Sequence, residues 1–349
     1  MGAVTAEFQI EFLGYLQRLL DEGGFTATYK FALLMALADL AVELGDDEGG
    51  PLEITSEQIA RKFILYYSRQ ARPFVPADPQ AGASILHQNT GKQAAVVSVV
   101  AEAQSEYSWH DGQTPNLLLK DASLVSRVAG IVRVMPLWKL QTLGGQVVDF
   151  LYPNAGTGHA ITLRPGVAFC FRRFHGIVYR LAQDGWIRLI RERKQNAALL
   201  GEKIDLGAFL FGSGRADLSP YRPLLIELQK RRCFYCARDL KTSEVDHFIP
   251  WARYSIDLGH NFVLACKGCN SSKGDLLAGL EFLEAWKRRN EDCAVTMREY
   301  FLNHSLPHDL PGTLGIADWA YSTTWSSQGV VWIGGKNAIP IHLAGFKGS

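Results

Sequence analysis

The chain has 349 residues, 47% hydrophobic and 20% charged, with a formal net charge of +1. That is too long for one small domain and apolar enough to bury a core, which excludes a low-complexity chain and a generic polycation. No apolar run can span a bilayer, and Glu7 and Glu11 interrupt the first apolar stretch, so a soluble, cytoplasmic protein with no membrane partner is expected.

Residues 6–20 place Phe8, Phe12, Tyr15, Leu16 and Leu19 at helical spacing, with Gly23 and Gly24 as a stop. Residues 28–44 put Leu33, Leu37, Leu40 and Leu44 on one stripe, and their other faces are also apolar, which predicts a buried central helix. Thr55 and Gln58 make a capping box ahead of Ile59, Phe63 and Tyr66, and Pro73 closes that helix. The run 56–63 also permits a helix-turn-helix reading, although plain bundles use the same start. Residues 73–83 read as a linker.

Two further helices are expected between residues 91 and 138, then short strands at 147–151 and 160–163. Pro165 suits the first turn of one long helix over 166–196, if Gly185 is tolerated within it. Phe171, Phe174, Val178 and Leu181 would line its inner face. Arg172, Arg173, Arg180, Arg188, Arg191, Arg193 and Lys194 would make a basic outer face, either a solvated surface or a DNA contact. Gly201, Gly207, Gly212 and Gly214 mark a domain junction within 196–219, and a short helix over 221–232 leads out of it.

Residues 233–290 carry the chemistry. Two Cys-x-x-Cys pairs, Cys233/Cys236 and Cys266/Cys269, can bring four thiolates into the tetrahedron that a structural zinc prefers. The 29 residues between the pairs exceed a common ribbon spacing and must hold a folded insert. Asp246 and His247 lie in that insert, and Asn270 follows the last cysteine. Cys170 and Cys293 are left over, and Cys170 fits a buried small hydrophobe in a reducing compartment. Residues 221–290 hold 12 Lys/Arg against 8 Asp/Glu, whereas residues 1–100 hold 7 against 12, so positive charge gathers around the motif.

This order of residues resembles the HNH nuclease family. The resemblance implies a ββα-metal unit: a first strand over 243–247, a loop over 249–259, a second strand over 262–265 and a helix over 270–290. It implies His247 as general base and a single Mg²⁺ or Mn²⁺ on Asp246 and Asn270, all suited to phosphodiester hydrolysis. By the same resemblance Asn261 braces the loop and orients the histidine. Lys273, one helical turn after Asn270, is placed to contact a phosphate. His260 is expected to be structural. Asp246 and His247 can serve together only if the strand end twists or bulges, because neighbours on a strand face opposite ways. Arg231, Arg232, Arg253, Lys267 and Arg288 are candidate nucleic-acid contacts.

The fold class expected is mainly α: a helical N-terminal domain over 1–215, for recognition or regulation, then a zinc-stapled ββα nuclease domain over 216–305. An aromatic, Gly-rich strap over 306–349, with Trp319, Tyr321, Trp325 and Trp332, would pack back on the body. The run from His260 to Asn290, behind a long helical half, also resembles HNH proteins of prokaryotic defence and restriction systems. DNA is favoured over RNA as partner, with structural Zn²⁺ and catalytic Mg²⁺ or Mn²⁺ as cofactors. A protein partner or activating ligand at the N-terminal half would suit a dormant nuclease. The rival reading is a zinc-knuckle module that binds nucleic acid or protein without turnover.

Overall fold

A hydrophobic segment such as 28–44, apolar on every face, folds only by being surrounded, and the N-terminal unit is built around it. The computed structural model describes residues 4–76, 82–106, 114–154, 158–200, 205–212 and 217–346. Part of the expected linker (77–81), and Gly201 and Gly214 of the expected junction, lie outside the described residues. The chain divides into two compact units, Met1–Gly214 and Arg215–Ser349.

In the first unit, α1 (Ala6–Glu22) and α2 (Tyr29–Leu44) precede a strand, β1 (Leu52–Thr55), and α3 (Ser56–Gln70). Every residue of α2 from Lys30 to Val42 is buried. The capping box is formed: Thr55 accepts from the Gln58 amide, and the Gln58 side chain accepts from the Thr55 amide. Buried Ile59, Lys62, Phe63, Ile64 and Tyr67 make α3 a core helix, with Glu57 and Arg61 exposed.

Among the described residues of the stretch where two helices were expected there are four: α4 (Ala95–Gln104), α5 (Thr114–Lys120), α6 (Ala122–Val134) and α7 (Pro136–Lys139). The Asp121 side chain caps α6 and so divides it from α5. Strands β2 (Thr142–Leu143), β3 (Gln146–Val147) and β4 (Ala160–Leu163) follow; β4 pairs antiparallel with β1, and residues 148–151 are not strand.

The expected long helix is two, α8 (Val167–Arg173) and α9 (His175–Arg191), broken at Phe174. The break rotates the register, leaving Leu181 exposed while Val178, Ala182, Gly185, Trp186 and Leu189 face inward. Arg172 likewise belongs to the interior. It is 3% exposed and donates to Asp47 and to the carbonyls of Ala41, Val42 and Gly45 at the end of α2. Cys170 is buried, and burial pushes its thiol up to about 12. A short helix, α10 (Leu206–Phe211), lies where only loop was expected.

The second unit begins with α11 (Arg222–Gln229), then β5 (Glu244–His247) and β6 (Phe262–Ala265), an antiparallel pair. The helix expected over 270–290 is interrupted: α12 (Lys267–Lys273) ends at Gly274, which takes φ +51, and β7 (Leu277–Ala278) intervenes before α13 (Leu280–Asp292). After α14 (Ala294–Asn303), the tail forms a helix, α15 (Leu310–Ser326), and two strands, β8 (Val330–Gly334) and β9 (Asn337–Pro340). Strand β8 pairs parallel with β7 and antiparallel with β9, so the tail joins the sheet that follows α12. Among the described residues no helix is long and apolar enough to cross a membrane.

Gly185 marks where α9 approaches α2 most closely: an added Cβ would lie 2.4 Å from the Phe31 ring, itself stacked on Phe25 at 4.1 Å. Gly185→Ala should therefore lower stability by about 1–3 kcal/mol through overpacking, against alanine's better helix propensity. Denaturant unfolding measures this, and an unchanged midpoint would show that the Phe31 ring gives way freely.

Candidate active site

Four-residue strands make a weak hairpin, and the cysteines close it at its open end, beside the Glu244–Ala265 pair. Cys233 and Cys236 lie in the turn before β5, and Cys266 and Cys269 lie between β6 and α12, with Cys266 as the N-cap of α12. All four Sγ atoms fall within 4.8 Å of one another, and Cys236 and Cys266 are 3.9 Å apart. Zinc bonds of 2.3 Å set tetrahedral edges of about 3.8 Å, so the thiolates can hold a zinc ion. Backbone amides support them: Cys266 N donates to Cys233 Sγ at 3.3 Å and Cys269 N to Cys266 Sγ at 3.5 Å. Burial opposes charge on Cys236, but hydrogen bonds led by the Arg238 side chain bring it down to about 6.

The ladder pairs Glu244 with Ala265, Val245 with Leu264, Asp246 with Val263 and His247 with Phe262, without a bulge. Regular alternation then puts Glu244 and Asp246 on one face and His247 on the other, and no bulge interrupts the β5–β6 ladder. Helix α12 serves the first face. Asn270 Nδ2 donates to Glu244 Oε2 at 2.7 Å, and Lys273 Nζ lies 3.1 Å from Asp246 Oδ2 and donates to the His247 carbonyl at 2.9 Å.

Lys273 is 1% exposed. Its ammonium is engaged inside the protein, by the Asp246 carboxylate and the His247 carbonyl. Asp246 Oδ2 also accepts the Tyr235 hydroxyl at 2.6 Å. Burial, then the Asp246 charge, raise that hydroxyl well above its ordinary range, so it remains a donor. Tyr235 meets the Trp332 ring edge-on at 5.2 Å, and Trp332 Nε1 donates to Ser272 Oγ and Gly335 O.

On the opposite face, the His247 ring stands edge-on to Phe262 at 4.9 Å and to Trp251 at 5.3 Å, and its Nε2 is 2.7 Å from Asp257 Oδ1. Asn261 clamps the start of the loop: Oδ1 accepts from Ile249 N at 2.8 Å, and Nδ2 donates to Ile249 O at 3.0 Å. His260 is buried; desolvation, then the charges of Arg289 and His308, lower it to about 4, so it is neutral.

Arg231, Arg232, Lys267 and Arg288 are exposed, whereas Arg253 is half-buried and donates to Thr324 Oγ1 at 2.9 Å. That bond ties Arg253 to α15. Sequence reasoning missed Glu244, Tyr235 and Asp257. Glu244 had a signal, two residues before Asp246 and hence on its face, while the other two are joined to the dyad only by the fold.

Residues 233–276 match the family model described as HNH endonuclease. The chain carries an HNH domain. No curated protein and no solved structure matches the chain. The domain supports a nuclease of the HNH family, and its hairpin and α12 coincide with the matched residues.

Two outcomes follow from the buried groups. Cys266→Ser should lose bound zinc and the cooperative unfolding of the second unit, since structural zinc supplies about 10–16 kcal/mol in small metal-dependent folds; metal analysis and a melting curve check it. Lys273→Met, without added divalent cation, should destabilise by about 3–5 kcal/mol by leaving Asp246 unpaired. A loss below about 1 kcal/mol would instead fit a solvated surface pair.

Proposed function

We propose that the chain is a metal-dependent endonuclease that hydrolyses phosphodiester bonds of DNA, with His247 as general base. The observation that carries this reading is the hairpin framed by four clustered cysteines, holding Asp246 and His247 in successive positions, with Asn270 delivered to the Asp246 face by α12. His247 is the last residue of β5, so in this reading the phosphate lies across the strand end, between the Asp246 face and the His247 face.

The donor set on that face is all oxygen: the Asp246 and Glu244 carboxylates and the Asn270 side-chain carbonyl, whose amide nitrogen is turned to Glu244. Those atoms fit a hard cation, and in this reading Asp246 and Asn270 would hold Mg²⁺ or Mn²⁺. When bound, such an ion neutralises charge on the phosphate and on the departing 3′ oxygen.

His247 takes a proton from the attacking water as its oxygen bonds to phosphorus, and the P–O bond to the 3′ oxygen breaks. Tyr235 and Lys273 fix the Asp246 carboxylate before substrate arrives, which spares reorganisation during the reaction. Arg231, Arg232 and Lys267 flank the cysteine pairs, and with Arg288 they supply phosphate contacts independent of base sequence.

His247→Ala should slow plasmid nicking by about two to four orders of magnitude, with zinc content and unfolding midpoint unchanged. Nicking at the normal rate would remove His247 from the mechanism. Wild-type protein that binds plasmid but never cuts it with Mg²⁺ or Mn²⁺ would leave the zinc-stapled binding module as the function. RNA of matched length serves as the control, since this chemistry does not itself read the sugar.

A further inference from the structure

The His247 ring has two nitrogens, and only an unprotonated one can accept a proton from water. We propose that Asp257 is the positioning residue that selects which one it is, fixing the neutral ring as the Nε2–H tautomer so that Nδ1 is the basic atom. The inference rests on His247 acting as general base.

Asp257 Oδ1 lies 2.7 Å from His247 Nε2, with each side chain 13% exposed, so little water competes for either group. An ionised carboxylate only accepts hydrogen bonds, hence the hydrogen of this contact sits on Nε2. Nδ1 carries no hydrogen bond among the described residues, and the Phe262 and Trp251 rings hold the imidazole at a fixed angle. Turning the ring over would keep its plane but take Nε2 away from Asp257 and so break that contact.

The loop that delivers Asp257 is fixed on both sides. Ile256 and Leu258, its neighbours, line a small apolar cavity with Ile249, Tyr254, Thr313 and Ile316. Two of those residues belong to α15, outside the part of the chain that matches the family. At the far end Gly259 N donates to Pro307 O at 2.9 Å, and Asn261 N donates to Leu258 O at 2.9 Å. Gly259 leaves no room for a side chain, because an added Cβ would lie 2.5 Å from Phe301. Asp257 is therefore held from the C-terminal helix and aimed at the base, an arrangement that Asp257 and His247, ten residues apart, could not make on their own.

Asp257→Asn is close to isosteric, but its amide can turn an N–H toward Nε2, which selects the Nδ1–H tautomer and blocks the base. A comparable swap in a Ser-His-Asp triad keeps the geometry and costs about 10⁴ in kcat through the wrong tautomer. Expected here is a fall in kcat of about 10² or more, with KM for plasmid little changed and zinc content intact. Asp257→Ala, which selects neither tautomer, should lose less than Asp257→Asn, and Asp257→Glu should recover part of the rate.

The deciding readout is independent of activity: long-range ¹H–¹⁵N correlation spectra of histidine-labelled protein, with His247 assigned from His247→Ala, at a pH where the ring is neutral. Wild type should show Nε2–H, and Asp257→Asn should show Nδ1–H. A wild-type Nδ1–H tautomer, or Asp257→Asn with normal kcat, overturns the proposal even if the variant's fold is perfect. Normal cleavage by His247→Ala overturns the functional reading instead, and the wild-type tautomer still reports on Asp257.

Discussion

Two strands of four residues cannot hold a catalytic geometry by their own ladder, since an isolated hairpin is marginal in water. Here the four thiolates close the hairpin at the residues that precede β5 and follow β6, and one of them caps α12. A single zinc ion on these sulfurs would tie the strand carrying Asp246 and His247 to the helix carrying Asn270 and Lys273. The relative placement of those four side chains depends on that staple more than on any one hydrogen bond.

Within the frame, position is bought by burying charge. Lys273 and Asp246 are nearly inaccessible, and such a pair is tolerated only because the Tyr235 hydroxyl and the His247 carbonyl satisfy its remaining hydrogen-bonding atoms. The support of Asp246 continues outward through Trp332, which lies against Tyr235 and donates to the Ser272 hydroxyl of α12. The family match ends at residue 276, yet the residues that hold its acid reach to β8 and those that hold its base reach to α15. The tail is thus part of the site's support.

The N-terminal unit follows the same rule that buried polar groups must be paired. Asp39, on the fully enclosed α2, accepts from the Tyr66 hydroxyl at 2.6 Å and lies 2.8 Å from His175 Nε2. Arg172 satisfies the carbonyls at the end of the same helix. Positive charge that looked like one basic face is divided by this packing: Arg172 turns inward, while Arg173, Arg180, Arg188 and Lys194 remain exposed.

Local patterns were readable without coordinates. Helices α1 and α2, the capping box of α3 and the four-cysteine cluster follow from spacing along the chain, because each depends on neighbours within a few residues or on the coordination habit of one metal; strands β5 and β6 were implied by the resemblance to the HNH family. Periodicity could not show the break at Phe174, or that Gly274 would end α12 so that β7 could pair with β8 from the tail. Nor could it show that Lys273 and Arg172 point inward, or that Asp257 and Tyr235 reach His247 and Asp246. Those features are contacts between segments distant in sequence, or depend on such contacts, and they are set by which buried donor finds which acceptor once the core has closed. The sequence by itself determined the chemistry available; the tertiary structure decided which atoms of it face each other.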